Sequence, residues 1–338
     1  MSALAFTKYY ENLAYDEKFI QFNRFAKLNL IRQRVKLNTN FETSFNIAKA
    51  KDCFVSNLCI NESFLENDRF TKDSFNKIYN FLKSPKHDET ALARSIFLVH
   101  LSKSSADYLI FGLFFKIFDS IDLVKPYRDV DINHELNFLY ELFLKLKHNR
   151  VVQEIILKTV QSICGQNVHL NFNELKMFFF KCSIEKLRGF AGIGRIYVGY
   201  RPFLNMLKEL TNFFPKEDAR LIIKLEFLRI FVNLATQSMI RSVKNDLNYW
   251  NPKLFGKYNQ VNKKYRLNIG NKAEENLFRI QINWFQSGLK GTSLKLDQWK
   301  QFYKSLITDL VRPDHIKSED MGIINKNNQN FLMGIDFF

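Results

Sequence analysis

Three stretches of the chain carry several cations and no acid. Arg24 to Lys36 holds Arg24, Lys27, Arg32, Arg34 and Lys36. Lys186 to Lys208 holds Lys186, Arg188, Arg195, Arg201 and Lys208. Tyr249 to Lys272 holds Lys253, Lys257, Lys263, Lys264, Arg266 and Lys272, interleaved with Tyr249, Trp250, Phe255, Tyr258 and Tyr265. Cations neutralise phosphates, and aromatic faces stack on exposed bases without demanding a particular sequence. A groove for one strand of RNA or DNA needs both. The candidate nucleic-acid-binding residues are therefore Arg24, Arg32, Arg34, Arg188, Arg195, Arg201, Trp250, Lys257, Tyr258, Lys263, Lys264, Tyr265 and Arg266. Convergence of the three stretches on one face supports this reading. Scatter returns each to the ordinary case of a solvated surface loop whose aromatics pack inward.

Other reactive constellations are sparse. Cys164, His169 and Cys182 lack the tight ligand pairs of zinc sites, and the cysteines read as buried free thiols, so no metal is expected. A dinucleotide-binding GxGxxG fails because Tyr197 stands where the third glycine belongs, and no Walker A sequence occurs. No cofactor and no catalytic residue are expected. RGFAGIGR (188–195) partly resembles the RNP1 submotif of RNA-recognition domains. It lacks the aromatics at the fifth and eighth positions, here Gly192 and Arg195, and counts as coincidence. Arg94 and His100 have a spacing that resembles the HEPN ribonuclease motif, which implies RNA cleavage across a helical dimer; a core-facing His100 is the plainer expectation.

Composition bounds the class. The 338 residues include 50 Lys+Arg against 34 Asp+Glu, a net charge of +16. Such a protein attracts polyanions: nucleic acid, an anionic surface or acidic partners. Phe (35), Lys, Asn and Ile are abundant together, as an AT-rich coding bias would produce, so part of the charge carries no function. Gly (12) and Pro (6) are scarce, which argues for long helices rather than short-turn β architecture. Four cysteines without a CxxC fit a reducing compartment, the cytoplasm or an organelle interior. The acids at Glu11, Asp16 and Glu17 fit neither a secretory signal nor a presequence. The best apolar run, residues 108–115, is too short to span a bilayer, for which about 20 residues are needed.

The elements that must position these residues read as helix after helix. Apolar spacing predicts helices at 5–36, 42–58, 73–84, 89–102, 104–122, 131–148, 150–163, 171–186, 202–213, 216–245, 274–287 and 295–311. Residues 216–245 are apolar almost all round and mark a buried central helix begun by Pro215, Glu217 and Asp218. Four of the 12 glycines fall in RGFAGIGRIYVGYRP (188–202), which reads as a hinge. The expected fold is all-α: an N-terminal helical lobe (1–187), a Gly-rich hinge (188–201), a C-terminal helical lobe (202–312) and a polar tail with an apolar tip (313–338). An irregular helical-repeat array is a variant of the same class. The expected function is non-enzymatic binding of single-stranded RNA within a ribonucleoprotein assembly, nucleoprotein-like or organellar. Protein partners or self-association engage through the tail. The alternatives are a helical scaffold subunit of a large complex and, third, the HEPN-like ribonuclease.

Overall fold

The computed structural model describes residues 46–50, 53, 88–102, 120–124, 134–183, 187–247, 249, 269–279, 282–289, 296–311, 331–332 and 335–336. The chain divides into two compact units, residues 1–119 with 253–257, and residues 120–252 with 258–338. In the first, α1 (Glu89–Ser102) follows Asp88, whose carboxylate caps the helix by accepting from the Ala91 amide at 2.7 Å. It buries Leu92, Ile96, Phe97 and Val99.

Residues 46–50 are also helical in this unit, and the second unit holds a sheet and most of the described helices. In chain order these are β1 (Asp122–Val124), α2 (Asn137–His148), α3 (Arg150–Cys164), β2 (Lys176–Lys181), β3 (Gly189–Ala191) and β4 (Arg195–Gly199). There follow α4 (Tyr200–Thr211), α5 (Lys216–Lys244), α6 (Ile269–Phe278), α7 (Trp284–Leu289), α8 (Leu296–Ile307), β5 (Phe331–Leu332) and β6 (Ile335–Asp336). Helix dominates, but the expectation of an all-α fold is corrected by a mixed sheet of order β1-β2-β4-β3-β6-β5. Its one parallel pair is β2 with β4, in register Lys176↔Arg195 to Phe180↔Gly199; the other neighbours run antiparallel.

Two segments account for the difference. Within 171–186, expected as a helix, Phe172–Glu174 form a 3-10 turn and Lys176–Lys181 form β2, because the run Met177–Phe180 is as compatible with a buried strand as with a buried helix. Residues 188–202, expected as a hinge, hold the β3–β4 hairpin and the start of α4. Gly194 supplies the left-handed residue of its turn (φ 63°), and Gly192 N–H donates to Arg195 O at 2.8 Å. Every residue of β3 and β4 is buried, so this hairpin lies inside the second unit. In the tail β5 pairs antiparallel with β6, and β6 pairs with β3 of the same chain, Phe190 opposite Ile335.

Helix α5 is the centre of this unit, as its pattern predicts. Its 29 residues are buried almost continuously from Ala219 to Arg241. It touches α2, α3, α4, α6, α7, α8, β3 and β4. Glu217 and Asp218 lie in its first turn, where the dipole favours negative charge. Asn245 in the left-handed region (φ 51°) ends it. Among the described residues no helix is long and apolar enough to cross a membrane.

Candidate functional site

A polar stripe runs down α5 inside the core. Glu226, Arg229, Asn233, Gln237 and Arg241 fall three or four apart and so share one helical face, and all are buried. Glu226 is the anchor. One of its oxygens accepts from Arg188 Nη1, from Arg229 Nε at 3.1 Å and from Arg229 Nη2 at 2.8 Å; the other accepts the Trp284 backbone N–H at 3.0 Å. Burial alone would raise its pKa, but Arg229 and Arg188 together outweigh it and hold the carboxyl below the ordinary glutamate range. Arg229 Nη1 reaches Glu274 of α6 at 3.2 Å. Asn233 donates to Glu274 at 2.5 Å and to Asn271 at 3.0 Å, and accepts from Gln237 at 2.6 Å. Arg241 closes the stripe by donating to Ala191 O of β3 at 2.6 Å. Burial lowers its pKa to about 10, which leaves it charged at neutral pH.

This stripe ties β3, α6 and α7 to the central helix. It also fixes how close α6 approaches: a Cβ on Gly270 would overlap the Asn233 carboxamide. Gly270→Ala is therefore expected to push α6 outward at a cost of about 1–3 kcal/mol, measured by urea unfolding.

Among the described side chains of α6 the exposed one is Lys272, with Glu275 and Asn276 half-buried beside it. The helix packs along α3, with Asn276 Nδ2 donating to Thr159 Oγ1 at 3.0 Å and Lys272 Nζ to Ser162 Oγ at 3.5 Å. A cleft of about 330 Å³ lies between them, with Val151 and Ile155 as its apolar floor and Glu154, Lys158, Asn276 and Arg279 around it. Lys158, Lys272 and Arg279 are all exposed. The Lys158–Glu154 pair spans 3.7 Å with side chains 72% and 66% exposed, so it holds Lys158 only weakly. Arg279 occupies the left-handed region (φ 67°) just past the end of α6, a position that favours glycine. Backbone strain is thus accepted where a guanidinium faces the cleft.

The sequence-predicted residues fare differently. Arg188 and Arg195 are 1% and 2% exposed. Arg188 pairs with Glu226, and Arg195 Nη1 donates to Ile193 O at 3.5 Å. Both serve the core, which corrects their assignment to an outer nucleic-acid surface. Arg201 is exposed at the start of α4. Arg24, Arg32, Arg34, Trp250, Lys257, Tyr258, Lys263, Lys264, Tyr265 and Arg266 lie outside the described residues. Lys272, the last cation of the third acid-free stretch, reaches from α6 to Ser162 of α3, outside the residues that line the cleft. Lys158 and Arg279 were not among the candidates, because each has acids nearby in sequence.

His100 is fully buried, whereas Arg94 is only partly so. Six residues apart on a helix, they point about 120° away from each other. Among the described residues no group of three His, Cys, Asp or Glu side chains gathers as metal ligands, and Cys53, Cys164 and Cys182 are free thiols. No protein-family model, no curated protein and no solved structure matches this chain.

Proposed function

We propose that this chain binds single-stranded nucleic acid, RNA in preference to DNA, without catalysing a reaction, as a component of a ribonucleoprotein assembly. The observation that carries the reading is the placing of the exposed Lys158 and Arg279 at the α3–α6 cleft, with Lys272 joining the same two helices outside it and continuing the acid-free, aromatic-rich stretch 249–272. The net charge supports it too. Among the described residues four arginines and two glutamates are buried, so the core takes up only a small part of the +16. Phosphates bridge the cations, and the apolar floor of Val151 and Ile155 receives the face of a base.

The test is fluorescence anisotropy with labelled oligouridylate and oligodeoxythymidylate over a salt series. Charge reversal of Lys158, Lys272 and Arg279 to Glu is expected to lower the log–log salt slope by roughly 0.7 for each lost phosphate contact. Arg279→Gly separates binding from folding. It relieves the left-handed backbone, so stability rises or holds while affinity falls. No binding to either polymer, or an unchanged slope in the folded triple variant, overturns the reading.

A further inference from the structure

The α3–α6 cleft contains one group that works against phosphate binding. Val151, Glu154, Ile155 and Lys158 fall three or four residues apart and so share one face of α3. Val151 and Ile155 form the floor, and among the described lining residues Glu154 is the one acid, beside Lys158, Asn276 and Arg279. A carboxylate there repels the phosphodiester backbone that the cations attract. Its ion pair with Lys158 does not account for it. The separation of 3.7 Å exceeds a hydrogen bond, and both side chains are mostly exposed, so the pair is weak. Among the described residues no donor hydrogen-bonds to Glu154, so its two oxygens are open to a ligand. The walls of the cleft are set in advance: Asn276 Nδ2 ties α6 to Thr159 of α3 at 3.0 Å, and Asn149 caps α3 through the Val152 amide at 3.1 Å.

A carboxylate accepts through two parallel oxygens and donates nothing. Guanine alone among the RNA bases carries two donors side by side on its Watson–Crick edge, N1–H and the 2-amino group. Adenine and cytosine set their amino group beside a ring-nitrogen lone pair, and uracil sets N3–H between two carbonyl oxygens. Each of these three turns a lone pair toward the second carboxylate oxygen.

We propose that the α3–α6 cleft selects guanine in single-stranded RNA, and that Glu154 is the residue that reads it. The inference rests on the nucleic-acid reading of the same cleft. The base lies over Val151 and Ile155, and Lys158 and Arg279 hold the flanking phosphates. The Glu154 oxygens accept one hydrogen bond each from N1–H and the 2-amino group, a charge-assisted bidentate pair. The same carboxylate discriminates against the other bases, because it sets its negative charge against their lone pairs.

The experiment measures fluorescence anisotropy of the whole protein with labelled short oligouridylates whose central residue is uridine, guanosine, inosine, adenosine or cytidine. A single guanosine is expected to tighten binding about tenfold. Inosine keeps N1–H but lacks the 2-amino group, and is expected to lose most of that gain. Glu154→Gln is expected to abolish the guanosine preference and to tighten the all-uridine oligomer, because a negative charge facing the phosphates has gone. Glu154 is exposed, so the exchange leaves the fold intact, which the urea midpoint checks. Equal binding of all the oligomers by wild type overturns the inference and leaves the broader reading standing. So does a guanosine preference that persists in folded Glu154→Gln. No binding to any oligomer overturns both.

Discussion

Glu226→Ala is expected to destabilise the second unit by about 3–5 kcal/mol, seen as a lower urea midpoint. The loss follows from what remains. Arg188 and Arg229 stay in a region where they are nearly inaccessible to water, stripped of the carboxylate that both address. The Trp284 amide also loses its acceptor. Glu226→Gln keeps the volume and one acceptor oxygen but not the charge, so its loss is smaller.

A pH series checks the cause. The folded-state pKa of Glu226 is depressed, so its contribution is present above the unfolded value and is lost as pH falls through the depressed folded value. Wild type should therefore lose stability in acid more steeply than E226Q, and the two curves should converge at low pH. Parallel curves would mean that the carboxylate's charge contributes nothing.

Phe231→Ala is expected to cost about 3–5 kcal/mol. Phe231 is 0% exposed at the middle of α5, and its ring meets Phe143 of α2 edge-on, with centroids 5.9 Å apart and planes at 70°. Truncation removes that ring contact and leaves a cavity lined by helices that α5 itself holds apart, so little collapse can fill it. Equilibrium unfolding should show a lower midpoint at an unchanged denaturant slope. A loss near zero would mean that another element forms the centre of the unit.

Helices α2, α3 and α5 were legible because their signal is local. Val152, Ile155, Ile156 and Val160 fall on one face of α3, and the all-round apolar pattern of α5 marks its centrality without reference to any partner. The helix expected over 274–287 is not one element, α6 ending at Phe278 and α7 beginning at Trp284, and those expected over 5–36 and 73–84 lie outside the described residues. The sheet was not legible, since the pairing that builds it is not local. Nothing in KMFFFK or RIYVG announces that the two run parallel, and β4 is covered on both sides, which erases strand alternation.

The buried arginines were misread for a related reason. Residues 186–208 are acid-free along the chain, but the acid that neutralises Arg188 lies 38 residues downstream at Glu226. The sign that could have found it is the polar series Glu226, Arg229, Asn233, Gln237, Arg241 at helical spacing on an otherwise apolar helix. Such a stripe inside a core demands counter-charges from other elements, and Arg188, just before the β3–β4 hairpin, supplies one of them. The cleft was not legible: Lys158 and Arg279 meet only once α3 and α6 lie side by side, and Lys272, from a recognised stretch, joins those helices outside it.

Asn149 shapes the order in which the second unit assembles. Its Oδ1 caps α3 by accepting the Val152 amide at 3.1 Å, while its Nδ2 donates to Leu306 O, 157 residues away, at 2.7 Å. The β3–β6 pairing spans a comparable separation. Closing such distant contacts requires ordering a long intervening chain before any of them stabilises the fold, which places this unit among slow folders despite its helical content. On a ribosome, α2, α3 and the hairpin would emerge and wait for α5 to cover them, and the Asn149–Leu306 contact would wait until α8 arrives. That interval is where a chaperone would act, and where an early stop upstream of Leu296 would leave an aggregating fragment rather than a smaller folded domain.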